Sequence, residues 1–293
     1  MLYRFQPIAN WFILCEECAS PYVIRLDQSV DTDPFANSSN HRIPMQKQVI
    51  LITGGSRGIG AATAMLAAAA GYAVCINYRE NRTAADAVVT AILQTGGMAF
   101  AVAADVAIED QVVRMFEAVD ATFGPLTALV NNAGVLEHHM RLDQMDGARL
   151  NRVLATNVTG SFLCAREAVR RMSTRNGGQG GGIVNVSSAA SRLGSPAEYI
   201  DYAASKGAID TMTIGLAKEV AAEGIRVNAV RPGVIYTDIH TSGGEPDRVD
   251  RVKSGVPMQR GGNPDEVAQA ILWLLSPQAS YTTGSFIDVA GGR

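Results

Sequence analysis

Cysteine is scarce in this chain: Cys15, Cys18, Cys75 and Cys164 are the only four among 293 residues. So few thiols exclude a disulfide-built scaffold and point to a reducing compartment, read here as the cytoplasm. Cys15 and Cys18 make one C-x-x-C, but no second pair and no histidine pair completes a metal set, so no metal site is expected. Charge is sparse as well, with 18% Asp, Glu, Lys and Arg, and 25 basic against 28 acidic residues leave a net charge of −3. That balance excludes an electrostatic fit to nucleic acid or to an anionic membrane surface. No apolar run approaches the roughly 20 residues of a membrane span. The stretch from Trp11 to Cys15 is too short for a signal-peptide core and is closed by Glu16 and Glu17.

What the chain does have is alternation. Residues 1–45 show neither strand nor helix periodicity and are read as an N-terminal extension without order, or as a start assigned too early. From residue 46 to 293, short apolar runs alternate with amphipathic stretches. Strands are expected at 49–52, 73–77, 99–102, 126–130, 183–186, 225–230 and near 286–288. Helices are expected at 58–70, 82–94, 109–123, 146–174, 202–222 and 264–275. Near-continuous apolar strands between amphipathic helices imply an α/β fold, a single-domain doubly wound parallel sheet with helices on both faces. Ligands bind such sheets beyond the carboxyl ends of the strands. The run Gly177-Gly178-Gln179-Gly180-Gly181-Gly182 is read as a flexible connector.

Two motifs fall where that fold needs them. Thr53-Gly54-Gly55-Ser56-Arg57-Gly58-Ile59-Gly60 follows the first strand and opens the first helix. Glycines there let the backbone approach a pyrophosphate, and the helix N-terminus offers free N–H groups. The spacing, G-x-x-x-G-x-G, departs from the usual dinucleotide fingerprint. At the tip of the second strand stand Asn77, Tyr78 and Arg79, with no acid at the tip to bind a ribose hydroxyl pair, although Glu80 follows. Arg57 and Arg79 can both reach a 2′-phosphate, so NADP(H) is the expected cofactor, with NAD(H) use left open. The second motif is Tyr202-Ala203-Ala204-Ser205-Lys206, which puts a phenol and an ammonium on one helix face. Bringing a phenol from a pKa of about 10 down by about three units takes roughly 4 kcal/mol, which nearby positive charge can supply. Tyr199 is set aside as the acid, because Ala203 stands where its lysine would be.

Together with Asp105-Val106, Asn131-Asn132-Ala133-Gly134, Asn157, Ser187-Ser188 and Pro232-Gly233, these motifs resemble the short-chain dehydrogenase/reductase family over about residues 46–293. The resemblance is to its glucose 1-dehydrogenase-like and 3-oxoacyl-carrier-protein reductase-like members. It implies a Rossmann fold and an oxidoreductase that moves a hydride between NADP(H) and a carbonyl or alcohol, acting on CH–OH groups. It also implies roles. Ser188 holds the substrate oxygen, Tyr202 passes the proton, Lys206 binds the nicotinamide ribose and depresses the tyrosine pKa, and Asn157 holds a relay water. Gly54, Ser56, Arg57, Gly58, Ile59, Gly60, Tyr78, Arg79, Asp105, Val106, Asn132, Ala133 and Gly134 contact the cofactor with Tyr202 and Lys206. Pro232, Gly233, Val234 and Thr237 position its nicotinamide. Ser188 and Tyr202 lie 14 apart, one more than in many members, and residues 196–201 are expected to absorb the extra residue in a loop.

Residues 236–259 match the family's substrate lid in position. His138 and His139 follow the Asn-Asn-Ala-Gly turn and are read as exposed loop residues within reach of a substrate. Arg166, Arg170, Arg171 and Arg175 are read as a solvated helix face. A 3-oxoacyl-carrier-protein reductase, the alternative substrate reading, needs Arg170 and Arg171 near the cleft mouth. A non-catalytic NADP(H) sensor is the alternative of another class. A homotetramer or homodimer is expected, with helices 146–174 and 202–222 at the interface.

Overall fold

In the computed structural model, residues 48–293 are described, so the expectations for residues 1–45, with Cys15 and Cys18, lie outside them. Seven parallel strands form one sheet in the order β3-β2-β1-β4-β5-β6-β7. They are β1 (Val49–Ile52), β2 (Ala73–Tyr78), β3 (Met98–Ala103), β4 (Ala128–Asn131), β5 (Gly181–Val186), β6 (Ile225–Pro232) and β7 (Phe286–Val289). The register sets Ile50 against Val74 on one side and Ala128 on the other. Strand order therefore reverses beside β1, which opens a crevice between the carboxyl ends of β1 and β4.

Side chains alternate across the sheet as strand geometry requires. Val49 and Leu51 pack with Phe116, Leu129, Cys164, Met172 and Ile183 on one face. That face is covered by α3 (Glu109–Phe123), α5 (Gly160–Met172) and α7 (Ile200–Val220). Ile50 and Ile52 pack with Ile76, Val130, Val184, Ile271 and Leu274 on the other. There α1 (Gly58–Ala69), α2 (Arg82–Gln94) and α10 (Pro264–Leu275) lie. Both faces are dry, which is why these strands read as unbroken apolar runs.

Two expectations need correction. The helix expected over 146–174 is interrupted: α4 (Gly147–Leu154) passes through a π-turn at Ala155–Thr159 into α5. Apolar spacing hardly registers one inserted residue, whereas π-turns cluster at functional sites. The glycine run at 177–182 is no flexible connector. Gly181 and Gly182 lie in β5, and a Cβ on Gly181 would meet Met172 Sδ and Thr127 O at 2.4 Å each. Those glycines are small because α5 and its neighbours crowd the start of the strand. Short helices absent from the sequence reading are α6 (Ala190–Leu193), α8 (Ile239–Ser242) and α9 (Arg248–Val252).

Candidate active site

A cleft of about 830 Å³ opens at the carboxyl ends of the strands. Its lining includes Gly54, Ser56, Arg57, Gly58, Ile59, Tyr78, Arg79, Asp105, Val106, Asn132, Ala133, Gly134, Ser188, Tyr202, Lys206, Pro232, Gly233, Val234 and Thr237. Of the expected site residues, Gly60 and Asn157 stand behind this lining and support it.

The loop after β1 is held open from three sides. Gly54 has φ +61°, and its N–H donates to Asn77 Oδ1 at 3.2 Å, while Gly55 N–H donates to Asn77 O at 2.9 Å. Asn132 Nδ2 donates to Thr53 O and Gly54 O at 2.9 and 3.0 Å. Gly60 must be glycine for packing: a Cβ would stand 2.5 Å from Gly54 O and 2.6 Å from Asn132 Nδ2. The helix α1 that follows has no side-chain cap and no acid in its first turn. Its free N–H groups and partial positive charge face the loop, a cradle shaped for a phosphate. The residues therefore fit a dinucleotide. At the β2 tip, Arg79 pairs with Glu80 at 2.8 Å, with both side chains more than half exposed. Such a surface pair is weak and easily exchanged for a better anion. The Asp105 carboxylate accepts from Ala107 N–H at 2.9 Å and so braces its own turn.

Opposite this loop, the serines separate by environment. Ser187 is buried and its hydroxyl donates to Asp210 Oδ1 at 2.6 Å. The Ser188 oxygen accepts from Ala190 N–H at 3.1 Å and faces the Tyr202 phenol. Lys206 Nζ donates to Val186 O at 2.7 Å and lies 5.5 Å from the centre of the Tyr202 ring. Burial drives the lysine pKa down to about 8, with the Asp210 charge opposing. Tyr202 is governed by burial as well. Burial holds its phenol above the usual value, and only the Ser188 hydrogen bond pulls the other way. The protein's own groups therefore keep it protonated at neutral pH.

Asn157 sits in the π-turn, fully buried. Its Oδ1 accepts from Val135 N–H at 2.8 Å, and its Nδ2 donates to Val135 O and to Ser205 Oγ at 3.1 and 3.0 Å. Ser205 in turn donates to Tyr202 O at 2.6 Å. The asparagine side chain thus ties the β4 turn to the helix that carries Tyr202.

The start of α7 is pinned by a pair that sequence reasoning missed. Arg149 and Asp201, both buried, meet at 2.7 Å, and Arg149 Nη1 also donates to His138 O at 2.6 Å. Asp201 Oδ1 accepts from Tyr202 N–H at 2.9 Å. Between Ser188 and Tyr202, just before α7, Ser195 (φ +45°) and Ala197 (φ +60°) adopt left-handed backbone. Each costs roughly 1–2 kcal/mol for a residue with a Cβ.

Residues 236–259 are fastened by charge. Arg248 Nη2 donates to Glu198 Oε2 at 2.5 Å, and His139 Nδ1 meets Glu245 Oε1 at 2.6 Å, with Arg251 paired to the same Glu245. His139 therefore ties its loop to residues 236–259. Tyr199, set aside as an acid, lines the cleft together with His240 and Arg248. Arg170 and Arg171 bond to Glu167, and Arg171 also to Asp120, outside the cleft lining. Among the described residues no cluster of three or more His, Cys, Asp or Glu could hold a metal ion. None of the described helices is long and apolar enough to cross a membrane.

A family described as enoyl-(acyl carrier protein) reductase matches residues 54–293. The uncharacterized oxidoreductase YgfF of Escherichia coli (strain K12) is 65% identical over 245 residues, covering 84% of this chain and 99% of that protein. A solved short-chain dehydrogenase from Burkholderia cenocepacia J2315, in complex with NADP, is 34% identical with a TM-score of 0.77, over 84% of this chain and 97% of its own. The chain belongs to the short-chain dehydrogenase/reductase family. A second solved member is similar at 34% identity and a TM-score of 0.78, over 84% of this chain and 98% of its own. It is the 3-ketoacyl-(acyl-carrier-protein) reductase of Brucella melitensis complexed with NADH. As a family member this chain is an oxidoreductase of the NAD(P)H-dependent kind that acts on carbonyl and alcohol groups.

Proposed function

We propose that the enzyme reduces a carbonyl compound with NADPH, and that Tyr202 gives the proton. The observation that carries this reading is the convergence of Ser188, Tyr202 and Lys206 on one wall of the cleft whose other wall is the glycine loop. The cofactor, when bound, supplies the hydride. Gly54, Ser56, Gly58, Ile59 and the α1 N-terminus hold its pyrophosphate, and Arg57 and Arg79 take the 2′-phosphate. Asp105 and Val106 border its adenine. Pro232, Gly233, Val234 and Thr237 border its nicotinamide, with Asn132, Ala133 and Gly134 along the floor. Ser188 donates a hydrogen bond to the substrate oxygen. Tyr202 then protonates that oxygen, and the Lys206 ammonium stabilises the phenolate left behind. Burial keeps the Tyr202 phenol in its protonated form, the form that reduction needs. Oxidation of the alcohol needs the phenolate and should speed up as pH rises.

The preference for NADPH rests on Arg57 and Arg79 lining the cleft, with Glu80, the acid an NAD site could use, also in the lining but paired with Arg79. The carrier-protein reading has the similarity to the Brucella melitensis reductase behind it, but Arg170 and Arg171, which it needs at the cleft mouth, lie outside the cleft lining. A homotetramer or homodimer is proposed from Leu154, Phe162 and Ile214, which stay exposed on α4, α5 and α7. The test is a panel of ketones, aldoses and acyl thioesters assayed with NADPH and with NADH. Turnover of ketones or aldoses, faster with NADPH, is expected. Turnover of acyl thioesters alone would overturn the substrate reading, and equal rates with NADH would overturn the cofactor reading.

A further inference from the structure

Burying a charge is costly unless another charge offsets it. Lys206 is 4% exposed, yet its part in the proposed reduction requires an ammonium. The groups that touch it are neutral. Its Nζ donates to Val186 O at 2.7 Å, and a Cβ on Gly134 would lie 3.7 Å from Nζ and 3.4 Å from Asn157 Oδ1. Ser187 and Ser188 follow Val186 at the end of β5, and the Tyr202 ring stands 5.5 Å away on α7. Asp201, at the start of α7, is balanced by Arg149 of α4. The charge that offsets burial comes from Asp210, one turn beyond Lys206 on the same face of α7.

Asp210 is held from two strands. Its Oδ1 accepts from Ser187 Oγ at 2.6 Å, and its Oδ2 lies 3.1 Å from Arg231 Nε and 3.0 Å from Arg231 Nη2. Ser187 Oγ also stands 3.2 Å from Lys206 O, and Ser187 follows Val186, whose carbonyl receives the ammonium. Arg231 is fixed in turn: it stacks over the Phe286 ring at 3.9 Å and stands 3.9 Å from Asp288, which pairs with Arg192 of α6 at 3.1 Å. The Asp210 and Arg231 side chains are only 14% and 16% exposed, so salt and water screen them little. Both stand behind the cleft lining. A partner for the Ser187 hydroxyl need not be charged, since Lys206 O is also within reach. What the carboxylate adds is a negative charge behind the ammonium, outside the cleft.

We propose that Asp210, fixed by Ser187 and Arg231, is a positioning residue that acts through Lys206: its charge keeps the lysine an ammonium within the dry wall. The proposal rests on the reading of Tyr202 and Lys206 as the proton-transfer pair of a carbonyl reductase. Arg231 sets the strength of the effect, because its own charge partly cancels that of Asp210. Loss of Asp210 favours the neutral lysine and loss of Arg231 favours the ammonium, so the two should move the Lys206 titration in opposite directions. Loosened packing would instead admit water and move it upward in both.

Lys47, Lys206, Lys218 and Lys253 are the only lysines, so carbon-13 labelling at lysine Cε lets Lys206 be titrated by NMR and assigned with Lys206→Met. The wild type, Asp210→Asn and Arg231→Gln are compared without cofactor. Asparagine keeps an acceptor for Ser187, and glutamine keeps an amide donor for Asp210. The wild-type titration should fall near the value of about 8 that burial and Asp210 set between them. It should drop by about one pH unit in Asp210→Asn and rise by a smaller step in Arg231→Gln. NADPH-dependent reduction is then followed against pH, with whichever of the panel's ketones, aldoses and acyl thioesters the wild type turns over fastest. The ammonium is lost as pH rises through the Lys206 titration, so kcat in Asp210→Asn should fall away about one pH unit earlier than in the wild type. A Lys206 titration that stays in place or rises in Asp210→Asn would overturn the proposal. A titration that drops while the rate profile stays where it was would also overturn it. No turnover of any panel compound by the wild type would overturn the carbonyl-reductase reading, and the catalytic part of this proposal with it, while the titration still decides whether Asp210 is the counter-charge.

Discussion

The two walls of the cleft are built by different means. The cofactor wall is backbone: glycines with positive φ, a helix end, and asparagines that hold main-chain atoms in place. The proposed substrate wall is held by side chains: Arg248 with Glu198 in the lining, and behind it Arg149 with Asp201 and Glu245 with His139 and Arg251. Backbone cradles suit a ligand whose phosphates never change. Ion pairs between loops can be exchanged one residue at a time, so this wall is where a family on one fold diversifies its substrates.

The largest effect on this contrast should come from the pair beneath Tyr202. Arg149→Leu leaves Asp201 buried without its cation, which should cost about 3–5 kcal/mol of stability, read as a fall in Tm or in the denaturant midpoint. A change near zero would mean that the pair adds nothing to the substrate wall. On the cofactor wall, Gly60→Ala drives a Cβ into Gly54 O and Asn132 Nδ2. Overpacking of this kind should cost about 1–3 kcal/mol, and NADPH affinity should fall with it. Affinity unchanged in a stable variant would show that the loop adapts. The smallest change expected is in Arg79→Asp, which should weaken NADPH about tenfold relative to NADH, because only one of two phosphate contacts is lost. Equal losses with the two cofactors would move the 2′-phosphate away from Arg79.

The same contrast decides what was legible in the sequence. All seven strands and the cofactor wall could be read, because glycine spacing and apolar runs are local signals. Ser188 could be chosen over Ser187 only by resemblance; the structure adds the reason, with Ser187 spent on Asp210. The substrate wall was illegible because its partners lie far apart along the chain: 52 residues from Arg149 to Asp201, 50 from Glu198 to Arg248, and 106 from His139 to Glu245. No periodicity announces such pairs. Tyr199 was passed over for lack of a lysine one turn on, a test suited to a proton donor and blind to its place in the cleft lining. Without a cofactor, burial raises the Tyr202 phenol and the Ser188 hydrogen bond opposes it, a balance that depends on depth in the fold and that no sequence pattern carries.

The most direct measurement is Tyr202→Phe, with NADPH affinity and ketone turnover determined on the same preparation. We expect NADPH to bind as in the wild type and turnover to fall by about 10²–10⁴, the scale of a lost general acid. Turnover within a few-fold of wild type, with NADPH still bound, would contradict the assignment of the proton to Tyr202.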